Sequence, residues 1–232
     1  MYSFLTPRLR LAFDRFPQTA SHYIDIGTDH AYLPAALLLA GKIQFATATD
    51  LRSAPLERAR QTAARFGLEE KIRFVEAAGL AFDYGTPEVI SVCGMGGLLI
   101  ADIIEEASLP DDCVLFLQPM TKVEELRCRL VSRGYYFDES YAVEGDKVFV
   151  MIKAKKDSTL QKQNAGFHNI KFIAGFPEPG QEQSKEYAAY LNKIIRREQR
   201  RLEGLMRSDY KKAKAAEVET VLQQLERIYN VI

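Results

Sequence analysis

Apolar residues recur along the first two-thirds of the chain in two alternating patterns. Runs of five to seven mainly apolar residues alternate with longer segments in which apolar side chains return every three or four positions. Such runs are typical of buried strands, and the three-to-four spacing is typical of helices packed on a sheet. An amphipathic helix over residues 3–16 precedes the series, and Pro17 ends it. The pattern predicts an α/β fold.

The predicted elements form a strand–helix series followed by a hairpin. The predicted strands cover residues 22–26, 43–49, 72–76, 88–93 and 113–118, and the predicted helices cover residues 31–40, 53–66, 97–107 and 123–133. Residues 135–143 and 147–154 alternate apolar and polar positions around a Glu-Gly-Asp turn, which indicates a β-hairpin. We therefore predict a doubly wound, Rossmann-like sheet whose last strand runs antiparallel to the rest.

The pattern of apolar and polar residues changes near residue 155. Residues 155–164 are polar and linker-like, and two later runs each place their apolar residues on one helical stripe. Spacings of three and four predict two amphipathic helices packed as an antiparallel coiled-coil hairpin, with Gly204 and Ser208 bracketing the turn. The predicted domains are therefore residues 1–155, which form the Rossmann-like unit, and residues 156–232, which form the helical unit.

Charge is distributed unevenly although the net charge is zero. Residues 1–152 carry 15 basic and 21 acidic residues, whereas residues 153–232 carry 16 basic and 10 acidic ones. Nine of the cations fall within residues 193–214. This density favours binding of a polyanion such as RNA, although long helices also carry many solvated cations. The candidate phosphate contacts are Arg8 and Arg10 in the first helix and Arg197, Arg200 and Arg201 in the helical unit.

Composition narrows the setting in which the protein works. No apolar run is long enough to cross a bilayer, and the first residues lack the apolar core of a secretory leader. Three widely spaced cysteines, with no C-x-x-C pair, argue against a disulfide framework or a zinc site. We expect a cytoplasmic protein with no metal and no membrane partner, either a monomer or a weak homodimer.

Candidate chemistry concentrates in the segment DIGTDHAYLP, residues 25–34, between the first strand and the first helix of the series. A glycine where a strand ends lets a ligand approach the backbone, and Asp25 is placed to accept hydrogen bonds from hydroxyl or ammonium groups. The segment contains Gly27 but not the three glycines that hold a pyrophosphate. One glycine with two carboxylates suits a nucleoside cofactor without phosphates, such as S-adenosylmethionine (SAM).

A second acid, Asp50, ends the second predicted strand and is followed by Leu51. In nucleotide-binding sheets a carboxylate at this place accepts the ribose hydroxyls, and its spacing from Asp25 is 25 residues. The alternative is an acid that only stabilises the start of the next helix.

Asp29 and His30 are candidates for catalysis. Asp29 lies just beyond the predicted cofactor turn, where its carboxylate could orient an adenine amino group and take a proton. His30 could serve instead, because its ordinary pKa is near neutrality. The alternative is that Asp29 caps the helix beginning at Ala31 and that His30 packs in the turn.

Two further strand ends carry unusual residues. Three glycines in the stretch CGMGG, residues 93–97, indicate close backbone approach, so Gly94 and Met95 could touch the cofactor or a flipped base. The alternative is a tight turn into the next helix. Gln118 and Pro119 end the fifth strand, where Gln118 could bind a base edge or could simply precede a turn.

Several motifs together resemble one family. The segments DIGTDHAYLP, GLEEKI, GMGG, LQP and EELRCRL, all within residues 5–155, resemble the TrmK family of bacterial tRNA (adenine-22-N1)-methyltransferases. The resemblance implies a SAM-dependent enzyme that methylates N1 of an adenine in the tRNA D-arm. It also implies a C-terminal coiled coil and makes Asp29 the leading candidate for the acid/base position.

One position departs from the family pattern. The family usually reads G-D-G-L after the third strand, where the acid contacts the cofactor's adenine, and this chain has Ala78 followed by Gly79. Loss of one hydrogen bond predicts an affinity reduced about fivefold, or about 1 kcal/mol, unless Asp83 or a backbone carbonyl compensates.

The leading hypothesis is therefore methyl transfer from SAM to adenine N1 in tRNA. Two alternatives stay open at the level of sequence. One is an RNA-binding or interaction protein on a methyltransferase scaffold with little activity, and the other is a small-molecule SAM methyltransferase whose coiled coil only dimerises the chain.

Overall fold

The structure, a computed structural model, describes residues 2–17, 19–156, 169–207 and 212–232. Seven strands form one sheet in the order β3-β2-β1-β4-β5-β7-β6. The strands are β1 (Ala20–Ile26), β2 (Ile43–Asp50), β3 (Ile72–Glu76), β4 (Val89–Gly96), β5 (Val114–Thr121), β6 (Tyr135–Glu144) and β7 (Lys147–Lys156). Strands β1 to β5 are parallel, and β7 is antiparallel to both of its neighbours. This arrangement confirms the predicted Rossmann-like sheet and its antiparallel last strand.

Helices cover both faces of the sheet, as a doubly wound fold requires. They are α1 (Pro7–Arg15), α2 (Tyr32–Leu39), α3 (Ser53–Phe66), α4 (Gly97–Glu106), α5 (Val123–Ser132), α6 (Asn169–Ala174), α7 (Lys185–Met206) and α8 (Lys212–Tyr229). One core joins α1, α2 and α3 to residues such as Tyr23 and Phe116, and the other joins α4, α5 and the C-terminal helices to Ile24 and Leu115. Neighbouring residues of one strand thus serve opposite cores, as the pleat demands.

Several predicted boundaries are wrong. Helix α1 begins at Pro7 rather than at residue 3, and proline at the first helical position is a favourable start. Strand β4 continues to Gly96 through an irregular register with β5, so most of the glycine-rich stretch lies inside the sheet rather than after it. The short 3-10 helix Glu69–Lys71 and helix α6 were not predicted.

The two C-terminal helices pack together with their apolar stripes buried, which confirms the predicted helical hairpin. Helix α7 contains Gly204, so that residue does not bracket a turn, and Ser208 lies outside the described residues. Met206, which the pattern placed on the apolar stripe, is exposed. Strand β7 ends at Lys156, and the domain boundary proposed at residues 155–156 stays a prediction.

A buried ion pair fixes the C-terminal helices to the sheet. Arg127 on α5 and Glu139 on β6 are fully buried and form two bonds, Nε–Oε1 at 2.6 Å and Nη2–Oε2 at 2.8 Å. Arg127 Nη1 also donates to the carbonyl oxygen of Phe172 on α6 at 2.6 Å. The guanidinium lies over the ring of Tyr190 on α7, 5.5 Å from its centroid. Four elements therefore meet at one charge pair.

Candidate functional site

Two pockets lie at the edge of the sheet where the parallel strands end, and they meet at Gly27. Loops after parallel strands form the usual ligand site of open α/β sheets. The cofactor pocket, as we call the one on the β2 and β3 side, has a volume of about 450 Å³. The acceptor pocket, on the α1 and α2 side, has a volume of about 260 Å³.

The cofactor pocket contains most of the residues predicted to bind a nucleoside. The predicted members are Gly27, Asp50, Leu51, Ala78, Gly79 and Met95. Helix α4 supplies four more that the sequence did not indicate, namely Leu99, Asp102, Ile103 and Glu106. Leu51 and Leu99 are both more than half exposed, which is unusual for leucine. Exposed apolar side chains of this kind can pack against a flat apolar group.

Gly27 is required at its position for two reasons. Its φ of +71° lies in the left-handed region, and a Cβ there would overlap the Met95 Cε methyl. Its N–H donates to the Thr49 carbonyl oxygen at 2.8 Å, which fixes the turn against β2. Met95 therefore covers the glycine turn at the boundary between the two pockets.

Asp50 stabilises the start of α3, which is one of the two roles that the sequence left open. Its Oδ1 accepts the backbone N–H of Arg52 at 2.9 Å, and Arg52 is the N-cap residue of α3. Both contacts that the Asp50 side chain makes with described residues use Oδ1, so Oδ2 has no partner among them. Its side chain is 13% exposed, which is enough for a ligand hydroxyl to reach it.

Asp25 lies in the acceptor pocket, next to the shared glycine, and is nearly buried. Its carboxylate accepts hydrogen bonds from the hydroxyls of Ser91 and Tyr23, the latter at 3.2 Å. Burial raises the pKa of Asp25, although the bonds from Ser91, Thr28 and Tyr23 oppose the shift. The fold thus keeps a costly carboxylate at the ligand site, which is typical of functional positions.

Asp29 and His30 also line the acceptor pocket, and Asp29 does not act as the predicted helix cap. The Ala31 N–H donates instead to the Thr28 hydroxyl at 3.1 Å. Asp29 is exposed and is held by Arg58 of α3, whose Nε donates to Oδ1 at 3.0 Å. His30 Nε2 lies 3.5 Å from Asp29 Oδ2. The carboxylate is therefore positioned by two cationic or titratable neighbours.

The imidazole of His30 stacks on the ring of Tyr32, with centroids 4.9 Å apart and planes 5° from parallel. This stack forms one wall of the acceptor pocket. His30 therefore packs against a neighbour and also lines the pocket. These two placements are compatible.

The remaining predicted residues at the strand ends, Gly94, Gln118 and Pro119, lie outside the cofactor pocket. Gly94 adopts a φ of +81° within the irregular part of β4 and faces Arg8 rather than the cofactor pocket. Gln118 is fully buried, and its Nε2 donates to the Pro119 carbonyl at 3.1 Å. Its amide is therefore not open to a base edge, which corrects the expectation from sequence. Pro119 lines a further cleft beside α7.

The predicted phosphate contacts lie on two surfaces. Arg8 lines the acceptor pocket, whereas Arg10 contacts the Tyr2 carbonyl at 3.4 Å. Arg197 pairs with Glu124 at 2.6 Å, Arg201 pairs with the buried Glu198 at 3.0 Å, and Arg200 is exposed. Arg8, Arg10 and Arg200 therefore have no acidic partner among the described residues.

Two further features are absent from the described residues. No described helix combines the length and apolar character needed to span a membrane. No group of three or more His, Cys, Asp or Glu side chains within the described ranges could hold a metal ion.

Comparison with known proteins agrees with this geometry. A family model described as a methyltransferase domain matches residues 5–152. The tRNA (adenine(22)-N(1))-methyltransferase of Bacillus subtilis (strain 168) is 31% identical over 169 residues, which cover 68% of this chain and 69% of that protein.

Solved structures extend the likeness to nearly the whole chain. The B. subtilis M1A22 tRNA methyltransferase TrmK matches with a TM-score of 0.82 and 25% identity, over 97% of this chain and 98% of that one. A Streptococcus pneumoniae structure in complex with S-adenosyl-L-methionine matches with a TM-score of 0.79 and 26% identity, over 97% of this chain and 99% of that one. The chain belongs to the methyltransferase family and, within it, to the tRNA (adenine(22)-N(1))-methyltransferases.

Proposed function

We propose that this protein transfers a methyl group from SAM to N1 of adenine 22 in tRNA. The observation that carries the proposal is the meeting of the two pockets at Gly27. A nucleoside held in the cofactor pocket would end at this glycine, directly beside the carboxylates of the acceptor pocket. The curated relative and the B. subtilis structure supply the substrate and the position.

The residues of the cofactor pocket fit SAM, which supplies an electrophilic methyl group on a sulfonium sulfur. Asp50 would accept the ribose hydroxyls, because it lines the pocket and its Oδ2 has no partner among the described residues. Leu51 and Leu99 would enclose the adenine ring between apolar side chains. Asp25, beyond the glycine turn, would receive the ammonium group of the methionine part, since a buried carboxylate gains most from a charged donor.

Ala78 leaves the adenine amino group without the carboxylate that the family pattern supplies there. Asp83 does not replace it, because its Oδ1 accepts the Gly85 N–H at 3.3 Å and it does not line the pocket. Glu106, which also lines the pocket, is exposed and has no partner among the described residues, whereas Asp102 pairs with Arg129 at 2.7 Å. Glu106 would therefore accept the hydrogen bond from the adenine amine.

The acceptor pocket would hold the target adenine of the RNA. N1 carries its lone pair in the ring plane, so attack on the methyl group needs mainly correct positioning. Bond formation places positive charge on the ring, which a carboxylate beside the exocyclic amine would stabilise. Asp29 would serve there and take the amine proton, Arg58 would hold it in place, and His30 is the second candidate.

The target base must be unpaired or extruded, because Watson–Crick pairing hides N1. Arg8 and Arg10 on α1 and Arg200 on α7, which form no ion pair with a described residue, would contact RNA phosphates around it. Pro119 would shape the edge next to the acceptor. We place the enzyme in the cytoplasm, where its tRNA substrate is found, as a monomer or a weak homodimer.

The test is to incubate the protein with bulk tRNA and labelled SAM, followed by nucleoside analysis. We expect labelled N1-methyladenosine from the wild type and at least a hundredfold lower rate from Asp29→Ala, with SAM affinity unchanged. Asp14→Ala is the matched control, because Asp14 is an exposed acid on the outer side of α1. Equal rates for both variants would refute the role of Asp29, and no labelled nucleoside from the wild type would refute the function.

A further inference from the structure

A third cavity lies outside both pockets, between α7 and the sheet. This α7 cleft is about 440 Å³ in volume. One wall is the segment from Pro119 to Glu125, which joins β5 to α5, together with the start of β7. The other wall is α7, from Tyr190 to Arg200. The size is sufficient for one nucleotide, since ligand sites span roughly 300–1,000 Å³.

The floor and the rim of the α7 cleft differ in chemistry. The floor is apolar and includes Val148, Val150, Ile194 and the ring of Tyr190. The rim carries four cations, Lys122, Lys193, Arg197 and Arg200. A flat apolar group with an attached anion matches both parts, and a nucleotide has this composition.

Two of the four cations are already neutralised by the protein. Lys122 pairs with Glu125 at 2.6 Å, and Arg197 pairs with Glu124 at 2.6 Å. Lys193 and Arg200 form no ion pair with any described residue. Lys193 Nζ lies 3.4 Å from the Val148 carbonyl oxygen, and Arg200 Nε lies 3.2 Å from the Arg196 carbonyl oxygen. These two side chains carry the unbalanced positive charge of the cleft.

The cleft lies next to the acceptor pocket. Arg8, which lines the acceptor pocket, has its Nη1 3.9 Å from the Met120 sulfur, and Met120 lines the α7 cleft. Arg8 also lies over the ring of Phe149, 5.8 Å from its centroid. An RNA strand that leaves the acceptor pocket would pass over these side chains and reach the cleft.

We propose that the α7 cleft binds a second nucleotide of the same RNA, splayed out next to the target, with its base on the apolar floor and its phosphate between Lys193 and Arg200. This inference rests on the proposed function, because the partner is the RNA whose adenine is methylated. It adds a specific nucleotide site to the general attraction between basic helices and RNA.

The first test compares two double variants of equal charge change. Lys193→Glu/Arg200→Glu alters the cleft, and Arg196→Glu/Arg207→Glu alters exposed cations on the same helix that do not line it. We expect the cleft variant to raise the KM for tRNA at least tenfold more than its control does. The plot of log affinity against log salt concentration should also become less steep, by about one unit of slope. This is the value for one lost phosphate contact. Unchanged affinity for S-adenosylhomocysteine verifies the fold of each variant.

The second test needs no variant. An amine-reactive acetylating reagent is applied to the wild type with and without unmodified tRNA transcript, and each lysine is quantified by mass spectrometry. We expect tRNA to protect Lys193 severalfold and to leave Lys185, whose side chain is 92% exposed at the start of α7, unprotected.

The two proposals fail in different ways. Wild-type protein that methylates tRNA, combined with equal KM values for the two double variants or equal labelling of Lys193 with and without tRNA, overturns the nucleotide site alone. Wild-type protein that methylates no tRNA overturns the proposed function, whatever the cleft variants do.

Discussion

Asp25 shows how a single residue can lower the stability of the folded protein and still be useful for binding a ligand. Burial raises its pKa above that of the unfolded chain, so the folded protein binds the proton more tightly. The resulting stabilisation is fully present below the unfolded pKa, about 3.9, and is lost as the pH rises through the folded pKa. Above the folded pKa the ionised carboxylate is therefore unfavourable for the stability of the ligand-free protein.

We predict that Asp25→Asn leaves the melting temperature at pH 7 unchanged or raises it by a few degrees, because the buried charge is removed. The difference from the wild type should shrink as the pH is lowered and Asp25 becomes protonated. SAM affinity should fall at least tenfold, since the bond to the ammonium group loses its charge. Scanning calorimetry and titration calorimetry measure the two effects, and a melting temperature several degrees lower at pH 7 would contradict the prediction.

Glu106 and Ala78 line the same cofactor pocket, which makes them a testable pair. We predict that Glu106→Ala weakens binding of S-adenosylhomocysteine about fivefold and has little effect on its inosine analogue, which lacks the amino group. Ala78→Asp in the Glu106→Ala background should restore the preference for adenine. Asp102→Ala is the control. A preference for adenine that survives Glu106→Ala would exclude this role.

Among the elements, α5, β6, α6 and α7 depend on the Arg127–Glu139 pair. We predict that Glu139→Gln lowers the free energy of unfolding by about 3–5 kcal/mol, because it leaves the Arg127 guanidinium charged and buried without a counter-charge. The exposed pair of Lys122 and Glu125 provides a control, and Glu125→Gln should have little effect. Urea denaturation measures both, and similar losses would show that burial does not distinguish them.

The elements themselves could be read from the sequence, because local patterns determine them. The alternation of strands and helices predicted the sheet and its antiparallel last strand, whereas the ligand site expected at the glycine turn stays a prediction. The boundaries of β4 were missed, because an irregular register keeps glycines inside a strand only where a neighbouring strand supplies the hydrogen bonds.

Residues whose role depends on distant partners could not be predicted in the same way. Nothing in the local sequence distinguishes Arg15 from an exposed cation, yet its side chain is 11% exposed and pairs with Asp138 and Glu178. Gln118 looked like a base contact and is buried. Leu99 and Glu106 looked like ordinary positions of an amphipathic helix. Only the packing of α4 against the ends of the strands brings them into the cofactor pocket.

The whole molecule separates charge along its chain. The acidic part carries both pockets, and the basic part begins near the end of β7. We predict that tRNA affinity falls at least tenfold between 50 and 200 mM salt, since neutralising two to three phosphates already gives this slope. Affinity for S-adenosylhomocysteine, measured at the same salt concentrations, should change little. Equal salt dependence of the two ligands would mean that the basic helices do not contact the RNA backbone.

The central claim is that the methyl group goes to N1 of adenine 22, and one measurement tests it directly. Two transcripts of the same tRNA, one with adenosine and one with guanosine at position 22, are incubated with the protein and SAM, and their nucleosides are quantified by mass spectrometry. We expect up to one N1-methyladenosine per molecule in the first transcript and none in the second. Equal amounts in both transcripts, or none in either, would contradict it.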